Sequence, residues 1–386
     1  MNPPAPASSL PDLVCLSHLR WNFVFQRPQH LLTRCAAERR VFFVEEPIVD
    51  PEAQVARLER RRDGNVEVAV PRIPPGLCES DADGVQRKLL DELLEAEDVR
   101  DYVLWYYTPM ARAFTDHLQP RAIVYDCMDE LSAFAHAPAS LRARERELLA
   151  CADVVFTGGQ SLYEAKRDAH PNVHPFPSSV DAAHFGAARL IDTEPPDQAQ
   201  IPHPRLGFFG VIDERMDMAL LRGVAERRPD WHIVLIGPIV KIDHADIPAL
   251  PNLHCLGAKT YAQLPEYIAS WDVAMLPFAR NDATRFISPT KTPEYLAAGR
   301  PVVSTSIRDV VRPYGQLGLA RIADTAEEFV AACEAAMRDD AAARIREADA
   351  FLRQTSWDGT WAQMRHLVDA AGAASRVDSA AVVRAV

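Results

Sequence analysis

Residues Asn281 to Thr305 read NDATRFISPTKTPEYLAAGRPVVST, a loop, a capped helix and an apolar strand in immediate succession. That order matters because a helix starting straight after a loop presents free backbone N–H groups and the positive end of its dipole, which favour a phosphate or diphosphate. Ser288, Thr290 and Thr292 each carry an oxygen suited to an N-cap, while Pro289 and Pro293 suit a loop and a first helical turn. Lys291 sets a mobile cation beside those amides, and Arg285 adds a guanidinium that can grip phosphate through two hydrogen bonds. Glu294, about one turn into the helix, can accept hydrogen bonds from a vicinal diol such as a ribose. Gly299 closes the helix and Pro301-Val302-Val303 opens a strand. With no ligand in view, the same residues are plain caps and an ordinary helix-start carboxylate.

Outward from this stretch, apolar runs alternate with amphipathic ones, the pattern of strand-helix-strand units around a parallel sheet. One set of strands is expected at 12–17, 40–45, 65–70, 101–107, 121–126 and 152–157, with helices at 27–38, 85–97 and 140–150. A second set is expected at 205–210, 231–236, 252–256, 271–276, 300–304 and 318–322. The chain of 386 residues exceeds what one core usually serves. The Pro-rich passage DTEPPDQAQIPHP, Asp192 to Pro204, reads as an interdomain linker. The expected fold is therefore α/β, two Rossmann-like parallel-sheet domains facing a central cleft. The first covers 1–191, the linker 192–204, the second 205–355, a further helix 356–372, and a loosely ordered alanine-rich tail 373–386. A ligand belongs in the cleft, at the carboxyl ends of both sheets.

Composition narrows the class. A net charge of −12 argues against nucleic-acid binding as the main role. Seven scattered cysteines without a C-x-x-C pair read as reduced thiols of a cytoplasmic protein. The N-terminus lacks a basic region followed by an apolar run, and no stretch approaches the ~20 apolar residues a membrane span requires. The run Arg57-Leu58-Glu59-Arg60-Arg61-Arg62 reads either as a solvated helix face or as a peripheral contact with anionic lipid at the cytoplasmic face of the membrane.

The segment KTPEYLAAGRPVVST resembles the nucleotide-sugar motif of glycosyltransferase family 4, the large retaining family of GT-B fold. The resemblance implies a hexosyltransferase that uses a UDP- or GDP-linked sugar, with no cofactor and no required metal. It places Glu294 as the second glutamate of the family's pair, the one on the nucleoside ribose; the first place falls on Phe286, for which Asp282 or Asn281 could substitute. It assigns the donor to Gly210 and Arg215 after the strand RLGFFG, to Gly237 and Lys241 after WHIVLIGP, and to Ser288, Pro289, Thr290, Lys291, Thr292 and Glu294. Lys291 and Arg285 would stabilise the departing nucleotide diphosphate. It also implies that the final helix returns across the cleft, where Trp357 and Trp361, at i and i+4, share one face.

The first domain contributes the acceptor side. The passage SHLRWNFVFQRPQHLL, Ser17 to Leu32, starts where the first strand ends and puts His18, Arg20, Trp21 and Asn22 at the cleft edge, residue types that stack on sugar rings and bind hydroxyls. It resembles the N-terminal signature of a bacterial group within that family, enzymes of surface-polysaccharide assembly including teichuronic-acid-type transferases. Phe23 and Phe25 alternate as packing residues do. The strand end YDCMDE adds Asp126 toward the acceptor and Asp129 as a candidate base, with His136 in the loop that follows; D-x-x-D at such a place also serves as a helix cap. The expected function is transfer from a nucleotide-diphosphate sugar to a saccharide or lipid-linked acceptor in cell-surface polysaccharide synthesis. The alternatives are a non-catalytic nucleotide-sugar-binding partner protein and a GT-B epimerase or hydrolase.

Overall fold

A computed structural model describes residues 10–134 and 137–384, with side chains through residue 373; His136 lies outside the described residues. The first sheet is built from β1 (Asp12–Ser17), β2 (Val41–Glu45), β3 (Ile48–Val49), β4 (Arg57–Asp63), β5 (Val66–Ile73), β6 (Tyr102–Tyr106), β7 (Ala122–Cys127), β8 (Val154–Thr157) and β9 (Val173–Pro175). Its order is β3-β5-β2-β1-β6-β7-β8-β9, parallel throughout except for β4, which runs antiparallel along β5. The second sheet holds β10 (Arg205–Phe209), β11 (His232–Ile236), β12 (Leu253–Cys255), β13 (Val273–Leu276), β14 (Val302–Ser304) and β15 (Ala320–Ile322), in the all-parallel order β12-β11-β10-β13-β14-β15.

These strands are apolar on both faces because helices cover both, as a parallel sheet requires. Leu13 and Cys15 face one core and Val14 and Leu16 another across the same strand. In each sheet the strand order reverses beside the first strand, between β1 and β6 and between β10 and β13, and a crevice opens there at the strands' carboxyl ends. The two crevices face each other.

Three expectations need correction. The passage 192–204 is no interdomain linker: Val180, Phe185, Ala188 and Ile201 already belong to the second core, and the buried Gln198 amide donates to the Tyr267 carbonyl at 2.9 Å and accepts from the Trp271 indole at 2.9 Å. The chain crosses earlier, between Phe176 of the first core and Val180 of the second. Its prolines mislead because they shape a segment wrapped on a domain as readily as one hung between two. Second, the run Arg57 to Arg62 is neither a helix face nor a bare basic patch. It forms most of β4, where Arg57 pairs with Asp50 at 2.9 Å, Arg60 with Glu67 and Glu97, and Arg61 with Glu45 at 3.1 Å. Third, the last helix does not stop at 372 before a loose tail but runs Trp357–Arg384. The chain leaves the second core after Leu352, and this helix sets Trp357, Trp361, Met364 and Val368 in the first. No helix among the described residues is long and apolar enough to cross a membrane.

Candidate functional site

A cleft of about 630 Å³ opens between the two crevices, lined from both domains. On the second-domain side β10 and β11 each end in a glycine of positive φ, Gly210 at +144° and Gly237 at +147°. The Gly210 amide donates to the Ile236 carbonyl at 2.8 Å, and a Cβ on Gly237 would collide with the Gly210 carbonyl oxygen. The two glycines therefore bring bare backbone to the cleft floor. A Cβ on Gly210 would also lie 2.8 Å from Lys291 Cε, so the lysine chain crosses directly over that backbone.

Lys291 opens the helix Lys291–Ala297 that the sequence placed here. Burial lowers its pKa, opposed by the charge of Glu294. Glu294 is 5% exposed, and its Oε2 has no hydrogen-bond partner. Burial raises that carboxyl from 4.5 to about 8, against the pull of Lys291. A buried carboxyl with an unpartnered oxygen is a strong demand for a hydrogen-bond partner, although Glu294 lies behind Lys291 and does not itself line the cleft.

The cap differs from the expectation. Thr290 sits at the N-cap in helical geometry and makes no side-chain capping bond; its hydroxyl donates instead to Ser178 Oγ at 3.2 Å. The Thr292 amide is already engaged by the Pro289 carbonyl at 3.1 Å, while its hydroxyl is buried without a partner. Ser288, Pro289 and Thr290 line the cleft as loop residues, and the free amides at 290–292 are fewer than the sequence suggested.

Arg215 reaches the cleft from the loop after β10, held by Asp213 through hydrogen bonds of 2.9, 3.1 and 2.7 Å. Arg215 and Lys241 both lie over the Phe134 ring of the first domain, at 5.6 and 5.1 Å. Lys241 thus contacts the opposite domain and is not part of the cleft lining. Arg285 is exposed, stacks at 5.1 Å on Phe286 and lies outside the cleft, so of these two arginines only Arg215 reaches it. Phe286 itself packs against the first-domain core.

The acceptor side needs more revision. Asp126 is wholly buried in an ion pair with Arg27, whose Nη2 and Nε lie 2.9 to 3.1 Å from its oxygens, and it faces no cleft. Arg20 turns away to Glu45 at 3.1 Å and the Pro47 carbonyl at 3.2 Å. Trp21 borders the cleft but is only 4% exposed; its ring meets Phe43 edge-on at 4.9 Å and its indole donates to Asp63 at 2.6 Å. The residues expected to pack, Phe23 and Phe25, are the exposed ones, at 48% and 44%. Alternation failed as a guide because this stretch is a turn and not a strand.

Asn22 and Asp129 do line the cleft. His18 stands just behind, at the first sheet's switch point, with Nδ1 3.1 Å from the Tyr107 carbonyl; burial lowers its pKa, opposed by the nearby charge of Asp129. Sequence reasoning missed Tyr261. Its ring stacks on His184 at 4.1 Å and meets Phe25 across the cleft at 4.5 Å. Its hydroxyl is buried without a partner, and burial together with the charge of Glu294 raises its pKa. A capping pair, Thr260 and Gln263, marked a short turn there, but nothing local said that it faces a ligand. Among the described residues no three His, Cys, Asp or Glu side chains converge as a metal site would need.

The family model for glycosyl transferases group 1 matches residues 203–339, which hold β10 to β15 and the helix of Glu294. A Bacillus subtilis (strain 168) protein described as a teichuronic acid biosynthesis glycosyltransferase is 25% identical over 269 residues. That match covers 64% of this chain and 66% of the relative, just under two thirds of its length. Sucrose-phosphate synthase from Thermosynechococcus elongatus superimposes with a TM-score of 0.72 at 13% identity, over 95% of this chain and 100% of that one. An E. coli trehalose-6-phosphate structure bound with UDP-2-fluoro glucose gives 0.66 at 13%, over 92% and 98%. The catalytic domain of starch synthase IV from Arabidopsis thaliana, bound to ADP and acarbose, gives 0.65 at 10%, over 94% and 99%. These solved structures share the GT-B fold with the chain.

Proposed function

We propose that the chain transfers a sugar, with retention of configuration, from a nucleotide-diphosphate sugar to a saccharide or lipid-linked acceptor in cell-surface polysaccharide synthesis, a reading supported by the match of residues 203–339 to glycosyl transferases group 1, by the Bacillus relative and by the GT-B fold. The observation that carries this reading is Lys291 in the cleft lining, crossing the bare backbone of Gly210, with the buried carboxyl of Glu294, its Oε2 unpartnered, behind it. In this reading Glu294 takes the ribose diol of a UDP- or GDP-sugar, and Lys291 and Arg215 receive the negative charge that grows on the departing diphosphate. Asp213 holds Arg215 in place for that role.

The acceptor enters from the first-domain side, past Asn22, so that its hydroxyl reaches the anomeric carbon on the face the phosphate leaves. Its proton passes to the departing phosphate or to Asp129. Phe25 and Tyr261, already in contact, close the mouth and limit competing hydrolysis by water. The surface-polysaccharide role is supported by the Bacillus relative.

The test is to incubate the protein with UDP- and GDP-sugars, with and without candidate acceptors, and to follow binding and nucleotide release separately. Release that requires an acceptor supports transfer. Release by water, or epimer formation, points to a hydrolase or epimerase. Binding without turnover supports a non-catalytic nucleotide-sugar-binding protein, a reading favoured by Phe286, which stands in the family's first glutamate place and packs on the first domain.

A further inference from the structure

We propose that the protein carries a second carbohydrate site, for a neutral oligosaccharide, in the cavity behind the interdomain crossing and separate from the donor cleft. The cavity measures about 780 Å³, inside the roughly 300–1,000 Å³ range of small-molecule sites. Its walls come from the segments that join the domains: the crossing at 175–179, the turn at 309–314, the stretch at 351–355 and one face of the final helix between Thr360 and Leu367.

The lining selects the ligand class. Three carboxamides, Gln160, Gln354 and Gln363, face the space. Each both donates and accepts hydrogen bonds, as sugar hydroxyls do. Phe176, Tyr314 and Phe351 offer apolar faces for the C–H side of a pyranose. Tyr314 and Phe351 are fixed against each other at 5.2 Å and 62°.

The charged lining residues are Asp309 and Arg312, of opposite sign. Both are engaged: the Asp309 carboxylate accepts from the Ser161 amide at 3.0 Å, and Arg312 lies 3.6 Å from Glu164. Their charges cancel, and the lining's histidines are His174, whose pKa burial lowers, and His366. Ser179 supplies an independent observation, being 1% exposed with a hydroxyl that lacks any hydrogen-bond partner.

Ser178 and Ser288 belong to the walls of both cavities, and the Ser178 hydroxyl donates to the Ser288 carbonyl at 3.4 Å. This partition lets both spaces be filled at once. The test therefore titrates the full-length protein with maltotriose, cellotriose and chitotriose by saturation-transfer NMR and calorimetry, with and without saturating UDP. At least one trisaccharide is expected to bind under both conditions. Gln363→Trp, which fills the cavity from the final helix, is expected to weaken that binding about tenfold or more, and Tyr314→Ala, which removes a stacking face, about fivefold. Asn22→Trp, at the acceptor end of the front cleft, is expected to change it less than about twofold.

Retained UDP binding shows that each variant is folded. Failure of all three trisaccharides to bind overturns the proposal, as does binding that Asn22→Trp abolishes and both Gln363→Trp and Tyr314→Ala spare. That last outcome would leave the transferase reading standing. Absence of both UDP and GDP binding in the unaltered protein would sink the donor site and leave this one intact.

Discussion

Replacing Glu294 with Gln should stabilise the free protein at alkaline pH and weaken its hold on nucleotide, two effects of opposite sign from one carboxylate. Glu294 is 5% exposed with an unpartnered Oε2, and burial raises its carboxyl from 4.5 to about 8, against the charge of Lys291. The folded value lies above the unfolded one. Below pH 4.5 both states hold the proton and nothing is lost, but between there and about pH 8 the unfolded chain releases it first, so stability declines as pH rises. At about 1.4 kcal/mol per pH unit, the group destabilises the fold by roughly 3 kcal/mol at pH 7 and roughly 5 kcal/mol above pH 8. Gln keeps the shape without titrating, so this slope should vanish. With about 2–4 °C of melting temperature per kcal/mol for a domain of such size, Glu294→Gln should melt within about 2 °C of the parent near pH 5 and roughly 10 °C higher above pH 8. Above pH 8, where the carboxylate is ionised, the same change should weaken UDP about 10- to 100-fold, since a hydrogen bond to a charged group contributes about 1.5–3 kcal/mol. Differential scanning fluorimetry across this pH range, with and without UDP, reads both effects. Parallel melting profiles with equal UDP-induced shifts would refute the reasoning.

Lys291→Ala should lower UDP affinity about 10- to 100-fold by the loss of one charge-assisted contact; calorimetry giving an unchanged Kd would remove the lysine from the phosphate site. Gly237→Ala forces a side chain onto the Gly210 carbonyl at φ +147°, so the melting temperature should fall with a strain of about 1–3 kcal/mol or more, and UDP should cease to shift it. Asp126→Asn strips the buried Arg27 of its counter-charge, which should cost about 3–5 kcal/mol of stability. Turnover per folded molecule should stay near the parent value; a selective loss of activity at unchanged melting temperature would restore Asp126 to the acceptor site.

The second-domain side of the cleft was legible because each of its parts is a local pattern. Lys291 and Glu294 share the first turn of one short helix, and Gly210 and Gly237 each follow an apolar run, so spacing alone set them near a common point. The acceptor half was not, because its residues are chosen by direction. Arg20, Trp21 and Asn22 are neighbours in sequence, yet Arg20 turns to Glu45, Trp21 packs on Phe43 and Asn22 borders the cleft. Asp126 and Asp129 are three apart at one strand end; the first is inside the sheet's core with Arg27, and the second is past its edge. Arg285 stands just before the loop that leads into the helix of Lys291 and stacks outward on Phe286.

What the chain by itself determined was the alternation of buried strands and covering helices, hence two parallel sheets, and the helix start that follows β13 and ends before β14. These follow from local periodicity and turn chemistry, which act over a few residues. Only the tertiary structure decided where the chain crosses between domains, which charges are spent on one another and which polar atoms are left without partners. Those outcomes depend on residues far apart in sequence: Glu294 beside Tyr261, Phe25 across from it, Ser179 at the wall of a second cavity. Burial of a polar group and the identity of its partner are set by packing between elements, and no single segment carries that information.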